Sequence, residues 1–480
     1  MMQSKNIYLL VDQGFSARYL LRSDLFNVLR CSGNRIIILT PNSDESYMKD
    51  EFFDENVLIH RYEIEKYSNF IKRSRIHRLI RSAFLFVYKN HLEVNHSVFW
   101  YPHYLSSLKD GSLKWCALSY LFDVWVRMLR ASGRFRKFFQ YVGSFFSPNY
   151  HKNVFETYPP DLLITTSLGN LSYDYFIMNE AKKHGAKLLS IILSWDNPTT
   201  KGFSRIQPDY VIAWTETMKL ELMRFHGIRS DKIFVGGVVQ YDPYFSSNNL
   251  MSKTELFKHF GLIEDRKLIF LCLMSPAQFP WNPKLVSLLG ELIQQSAFSE
   301  PCQVLVRLHP IYFRVKSGKN VFRKDIEKLI SIKDKYPHVY YDIPNILSQK
   351  MSYDMPFFES IKLGSTLRYS DILLCFFSSM MIEASIFDTP VINVALVEKN
   401  EIPTEVILKH NHIKRILETN GVNIAFTKQN LISQINGYLL NKGENREGRK
   451  KIVFQETGPN KGTAGLVIGK HILSLLENKI

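Results

Sequence analysis

The sequence predicts an α/β protein made of two successive Rossmann-like domains. Three observations carry this. Short aliphatic runs alternate with helical patterns along most of the chain. The alternation lapses near 245–265 and then restarts. At 480 residues the chain also has the length expected of more than one domain.

In order, Ile7–Val11 and Arg35–Thr40 read as buried strands, with a helix from Ala17 to Cys31 between them. A segment of different composition, 66–150, interrupts the pattern. Strands at Asp161–Thr165, Lys187–Leu193, Tyr210–Trp214 and Lys232–Gly236 follow, separated by helices at Tyr173–His184 and up to His226. Runs rich in β-branched and aliphatic residues, spaced by helices, argue for parallel sheets covered on both faces. The polar stretch Tyr244–Lys258 marks the junction. Beyond it, Lys267–Met274, Gln303–Leu308, Val339–Asp342, Asp371–Phe376 and Pro390–Ala395 read as strands, with helices at Leu285–Gln295 and Met380–Ile386. The expected division is a first domain over 1–245, a linker over 246–264 and a second domain over 265–480.

Charge is unevenly placed. The net charge is +16, and between Lys66 and Gln140 stand 14 Lys/Arg against three acids. Within this basic, aromatic stretch, Leu118, Leu121, Phe122, Trp125, Val126 and Leu129 recur at helical spacing. Arg127, Arg130, Arg134 and Lys137 form a second stripe. Such helices suit an anionic membrane surface contacted through 66–140. Nucleic acid ranks lower as a partner, because no zinc-finger spacing or RNA-binding aromatic motif accompanies the charge. The five cysteines are scattered, with no C-x-x-C pair, and read as reduced thiols. No apolar run is long enough for a membrane span or a secretory signal. A cytoplasmic protein, peripheral on the membrane, is the expectation.

In doubly wound sheets, ligands bind beyond the carboxyl ends of the strands. There the sequence places Asp12-Gln13-Gly14, then Ser194-Trp195-Asp196-Asn197-Pro198-Thr199-Thr200-Lys201-Gly202. Arg307-Leu308-His309-Pro310 and Phe377-Ser378-Ser379 leading to Glu383 follow in the second half. Asp196 or Asp12 suits a general base or a contact to a sugar hydroxyl, and Trp195 suits stacking on a sugar face. His309 and Arg307 suit phosphate oxygens, the two serines suit a phosphate at a helix start, and Glu383 suits ribose hydroxyls. Each has a plainer alternative: a packed His before a turn-forming Pro, helix capping, or a Gly turn. No G-x-G-x-x-G, no P-loop, no Asp-x-Asp and no Cys/His cluster occurs. NAD enzymes, P-loop NTPases and carboxylate- or zinc-based metal sites are disfavoured accordingly.

The run from Ser194 to Phe245, beginning S-W-D-N-P-T-T-K-G, resembles a family of bacterial GT-B glycosyltransferase-like proteins of surface-polysaccharide loci, capsule and lipopolysaccharide among them. The later half resembles the donor domains of the CDP-glycerol glycerophosphotransferase and polysialyltransferase groups. Those carry a His-Pro motif, a Ser-Ser motif and an E-A-x-x-x-x-x-P-V-I continuation, here Glu383 through Ile392. Leu308 stands where the CDP-glycerol group has a proline. The resemblance covers about 155–245 and 265–480.

It implies a metal-independent GT-B glycosyltransferase with no cofactor, moving a sugar from a nucleotide-sugar donor to a lipid-linked glycan. His309, Ser378 and Ser379 would hold the donor phosphates with Arg307 beside them, and Glu383 the ribose. Asp196, Asp12 and His309 are the candidate catalytic residues, and Trp195, Asn197 and Lys201 the acceptor contacts. Polyol-phosphate transfer from a CDP-linked donor, nucleotide-sugar 2-epimerisation and a non-catalytic membrane-docked scaffold are the alternatives.

Overall fold

The structure is a computed structural model that describes residues 4–109, 112–171, 173–246, 249–316, 318–396 and 403–477. It divides into two units, Met1–Val239 with Lys409–His412 and Gly458–Ile480, and Gln240–Leu408 with Ile413–Thr457.

The first unit is built on seven parallel strands: β1 (Asn6–Leu10), β2 (Arg35–Thr40), β3 (Val57–Arg61), β4 (Leu162–Thr165), β5 (Lys187–Ile191), β6 (Tyr210–Ala213) and β7 (Ile233–Val235). Their order is β3-β2-β1-β4-β5-β6-β7, with Leu9 paired to Ile38 on one side and Ile164 on the other. The central strands are buried on both faces, which is why they read as continuous aliphatic runs. The expected Ala17–Cys31 helix is two helices, Gly14–Leu20 and Asp24–Arg30. The chain breaks at Ser23, whose hydroxyl donates to Tyr19 O at 2.8 Å, and Arg22 turns aside to pair with Glu51 at 2.7 Å.

Between β3 and β4 lies a helical insertion: Ile64–Arg73, Arg75–Phe84, Asn95–Ser107, Leu113–Ala131 and Gly133–Phe145. It has its own core of Ile80, Phe84, Phe86, Tyr101, Phe122 and Val126, among others.

The second unit holds β8 (Lys267–Cys272), β9 (Cys302–Arg307), a small hairpin of β10 (Val315–Lys316) and β11 (Lys319–Asn320), β12 (Val339–Asp342), β13 (Ile372–Cys375), β14 (Val391–Val394) and β15 (Asn423–Ala425). The main sheet runs β12-β9-β8-β13-β14-β15, all parallel. β15 escaped the sequence reading because three residues are too few to show a pattern. The final helix, Ala464–Glu477, packs on Asp24–Arg30 of the first unit. Sequence order alone places it in the second. Gly469 faces the side chain of Val28, leaving no room for a larger residue.

In each sheet the winding reverses once, between β1 and β4 and between β8 and β13. Those reversals open the crevices where ligands bind in doubly wound folds.

Candidate functional site

At the reversal in the first unit, Asp12 follows β1 and Thr166-Ser167 follow β4. Ser16 links them: its hydroxyl donates to Asp12 Oδ1 at 3.2 Å and lies 2.8 Å from Thr166 Oγ1. Asp174 receives the Ser167 hydroxyl. Burial pushes the Asp12 carboxyl up to about 6, partly offset by the Ser16 hydroxyl. Burial also raises Asp174, helped by the charge of Asp12 and opposed by Arg205. The Tyr62 hydroxyl is buried near both acids with no hydrogen-bond partner among the described residues. An unpaired buried hydroxyl beside two carboxyls marks a place that water or a ligand completes. A carboxyl poised near neutrality in such a crevice is equipped for proton abstraction.

The Ser194–Gly202 loop follows β5 and is more tightly built than its composition announced. Asp196 Oδ1 accepts the Ser194 hydroxyl at 2.5 Å, Oδ2 accepts the Thr200 hydroxyl at 2.7 Å, and Lys201 Nζ lies 3.6 Å away. Burial alone would raise this carboxyl. Lys201, His412 and the two hydroxyls instead hold it well below the usual carboxylate range. It is thus a weaker base than Asp12, and both its oxygens are engaged. Trp195 is buried and meets the His412 ring edge-on at 4.8 Å. Asn197 is buried at the start of a short helix, and Lys201 is half-buried.

Above this loop the Lys409–His412 segment is stapled to the Asn95–Ser107 helix. Asn95 N donates to Asn411 Oδ1 at 3.0 Å, and Asn411 Nδ2 donates to Glu93 O at 2.7 Å. The staple lines up the rings of His96, His410 and His412, with centroids 5.4 and 5.7 Å apart. The sequence reading missed these histidines, since the pairing spans more than 300 residues. It also missed Asp174, Arg205 and the Thr166-Ser167 pair, although the strand-end rule applied to Asp12 would have found the last two.

In the second unit, His309 stands just past β9. Its Nδ1 accepts the Ile311 N–H at 3.1 Å, so the ring proton resides on Nε2, which is a donor. Burial, with Arg307 beside it, pushes the ring down to about 4 and keeps it neutral. Tyr353 meets the ring edge-on at 5.8 Å.

Arg307 itself points inward. It pairs with Asp342 and, at 3.0 Å, with Glu359, while Lys362 lies 2.8 Å from Asp342 and 2.7 Å from Glu359. All four side chains are buried, closing a neutral quartet beneath the end of β9. The guanidinium offered by the sequence as a phosphate contact is a strut of the strand end.

At the reversal, Phe377 takes a left-handed φ of +36°, costly for a non-glycine residue. Its N–H is held by Asn393 Oδ1 at 2.8 Å. This turn presents Ser378 and Ser379. The Ser379 hydroxyl donates to Glu383 Oε1 at 3.3 Å and Tyr244 OH donates to Glu383 Oε2 at 2.8 Å. These two bonds fix the Glu383 carboxylate at the turn. His309, Ser378 and Ser379 thus occupy the ends of β9 and β13, with β8 between them.

No protein-family model matches the chain, and no curated protein matches it. Solved structures do. A Listeria monocytogenes protein assigned as a UDP-N-acetylglucosamine 2-epimerase superposes with a TM-score of 0.55 at 12% identity, over 99% of this chain and 98% of that one. The UDP-GlcNAc 2-epimerase of Neisseria meningitidis, bound to UDP-GlcNAc, gives 0.52 at 12% identity over 98% and 100%. The wall teichoic acid polymerase TagF gives 0.50 at 11% identity over 99% and 90%. At such identities the likeness is one of fold, and the fold of this chain is that of the GT-B proteins.

Proposed function

We propose that the protein is a metal-independent glycosyltransferase, transferring a sugar from a nucleotide-sugar donor to a lipid-linked surface glycan on the cytoplasmic face of a membrane. The observation that carries this reading is His309. It is a neutral imidazole whose tautomer leaves Nε2–H as a donor at a strand end beside the winding reversal. A fixed donor at that place suits a phosphate oxygen and stabilises charge on a departing nucleotide. Ser378 and Ser379 supply hydroxyls to the same phosphates, and Glu383 accepts from the ribose.

In the first unit Asp12 is the assigned base for the acceptor hydroxyl. Trp195, Asn197 and Lys201 shape the acceptor loop, and Asp196 fixes that loop rather than moving a proton. The GT-B likeness to epimerases and to a teichoic acid polymerase supports nucleotide-linked substrates as a class.

The test is thermal denaturation of the full chain against UDP, GDP, CMP, CDP and dTDP without added metal. A ligand at about 100 times its Kd stabilises by about 2.7 kcal/mol. One nucleotide raising the midpoint for the parent and not for His309→Ala is the expected result. No shift with any of them favours a scaffold. Turnover of a UDP-sugar without acceptor into its epimer identifies an epimerase instead.

A further inference from the structure

Of the basic stripe expected on the insertion, Arg130 is drawn into the protein, whereas Arg127, Arg134 and Lys137 stay exposed. Arg130 donates through Nε and Nη2 to Phe86 O at 3.1 and 3.0 Å and lies over the Tyr101 ring at 4.3 Å. Arg136 donates to Leu129 O and Arg130 O and lies over Phe203. Arg127 pairs with Asp123 at 2.8 Å. The apolar stripe divides as well. Phe122, Val126 and Leu129 are core, joined by the half-buried Trp125.

What remains outside is a second apolar face. On the Leu113–Ala131 helix, Leu113, Ala117, Leu121, Val124 and Met128 follow one another at spacings of three and four, and all are exposed. Leu113 and Leu121 are 91% and 62% exposed. On Gly133–Phe145, Phe138, Tyr141 and Phe145 repeat at the same spacing, each more than half exposed. Both helices are thus apolar on the side that packs and on the side that does not. A folded monomer gains nothing from the second, and contiguous apolar surface of this kind marks an interaction site. Lys114, Arg134 and Lys137 rim it, all exposed, and Asp123 is the one acid between residues 112 and 150.

We propose that this outward face of the two helices inserts into the headgroup region of an anionic lipid bilayer, lying in its plane. Charge decides the occupant. A second copy would bring the same three cations against themselves across a two-fold interface, whereas an anionic leaflet complements them. Large aromatics beside leucine and methionine, flanked by lysine and arginine, are what an interfacial helix presents. No helix among the described residues is long and apolar enough to cross a membrane, so this surface lies on the bilayer. The inference is independent of the transferase reading and of any nucleotide.

The test is co-sedimentation of the full chain with vesicles of phosphatidylethanolamine and phosphatidylglycerol, and with phosphatidylcholine alone. Binding to the anionic vesicles is expected, and most of it survives a rise from about 0.1 M to about 0.5 M salt, because apolar insertion is not screened. Leu121→Asp with Phe145→Asp weakens binding by at least about tenfold while the melting midpoint without lipid stays unchanged. No binding by the parent overturns the proposal. So does binding that salt abolishes and the double variant leaves intact, or a parent dimer in light scattering that the double variant makes monomeric.

Discussion

Arg307 Nη2 lies 3.0 Å from Glu359 Oε2, with both side chains buried. With Asp342 and Lys362 these residues form a quartet whose charges cancel. Removing one member leaves an uncompensated charge in the interior, which costs about 3–5 kcal/mol. Arg307→Ala is therefore expected to lower the unfolding free energy by that order in urea titrations. A loss under about 1 kcal/mol would mean that the quartet is solvated and Arg307 free to serve a ligand.

Arg307 also shows what a sequence does and does not disclose. Most strand ends were legible, because parallel strands buried on both faces must be aliphatic and their termini carry the polar residues. Direction was not. Arg307 and His309 are two residues apart, yet one turns into the quartet and the other meets Tyr353. The partners that decide this, Asp342 and Glu359, lie 35 and 52 residues away. The apolar stripe divided for the same reason: helical spacing gives two faces for Leu113–Ala131, and only packing says which is core. Asp12 and Asp196 looked alike as acids after strands. Lys201 and two hydroxyls around one, and burial around the other, set them apart.

The tautomer of His309 yields a second prediction. His309→Ala loses nucleotide binding, whereas His309→Gln keeps part of it, since a glutamine amide places a donor near the position of Nε2. The ring is pushed down to about 4, so parent affinity stays level between about pH 5.5 and 8 apart from the ligand's own titration. Affinity that rises as pH falls through about 6.5 would make the imidazolium the binding form and overturn this assignment.

For the acid in the first unit, turnover is the readout. A base must be deprotonated, and burial pushes Asp12 up to about 6. The rate is expected to rise with pH through that value. Asp12→Asn lowers turnover by about 10²–10⁴-fold without changing nucleotide affinity. Asp196→Asn changes the melting midpoint instead, through lost contacts to Lys201 and the Ser194 and Thr200 hydroxyls. If Asp196→Asn abolishes turnover at unchanged stability and Asp12→Asn does not, the two roles are reversed.

Stability should fall on acidification, starting near neutrality. Burial lowers nine histidines, of which His96, His226 and His309 are brought to about 4. Unfolded, each titrates near about 6.5, so below that the unfolded chain binds more protons. The contribution is whole above about pH 6.5 and is lost as pH falls toward 4. Asp12 and Asp174 act in the opposite sense, being raised by burial, but are outnumbered. A urea midpoint that declines between pH 6.5 and 4.5, and declines less in His226→Gln, is the expected outcome. A midpoint flat across that interval would contradict it.

Gly202 ends the Ser194–Gly202 loop with a φ of +79°, where any side chain is strained by roughly 1–2 kcal/mol. A Cβ there would also stand 2.5 Å from Leu85 Cα and Phe84 O. Neither can move aside. Phe203 N–H donates to Phe84 O at 2.9 Å, and Gly202 N–H donates to Tyr88 OH at 2.7 Å. Gly185 is the control, because its φ is +89° and a Cβ would meet nothing within 4 Å. Gly185→Ala should therefore show the backbone strain alone, and Gly202→Ala that strain plus about 1–3 kcal/mol of overpacking. Lys201 precedes Gly202 and pairs with Asp196, so a Gly202→Ala chain that still folds must displace this loop, and on the proposed function it is expected to lose turnover. Equal destabilisation of the two variants would show that the loop does not rest on the end of the Arg75–Phe84 helix.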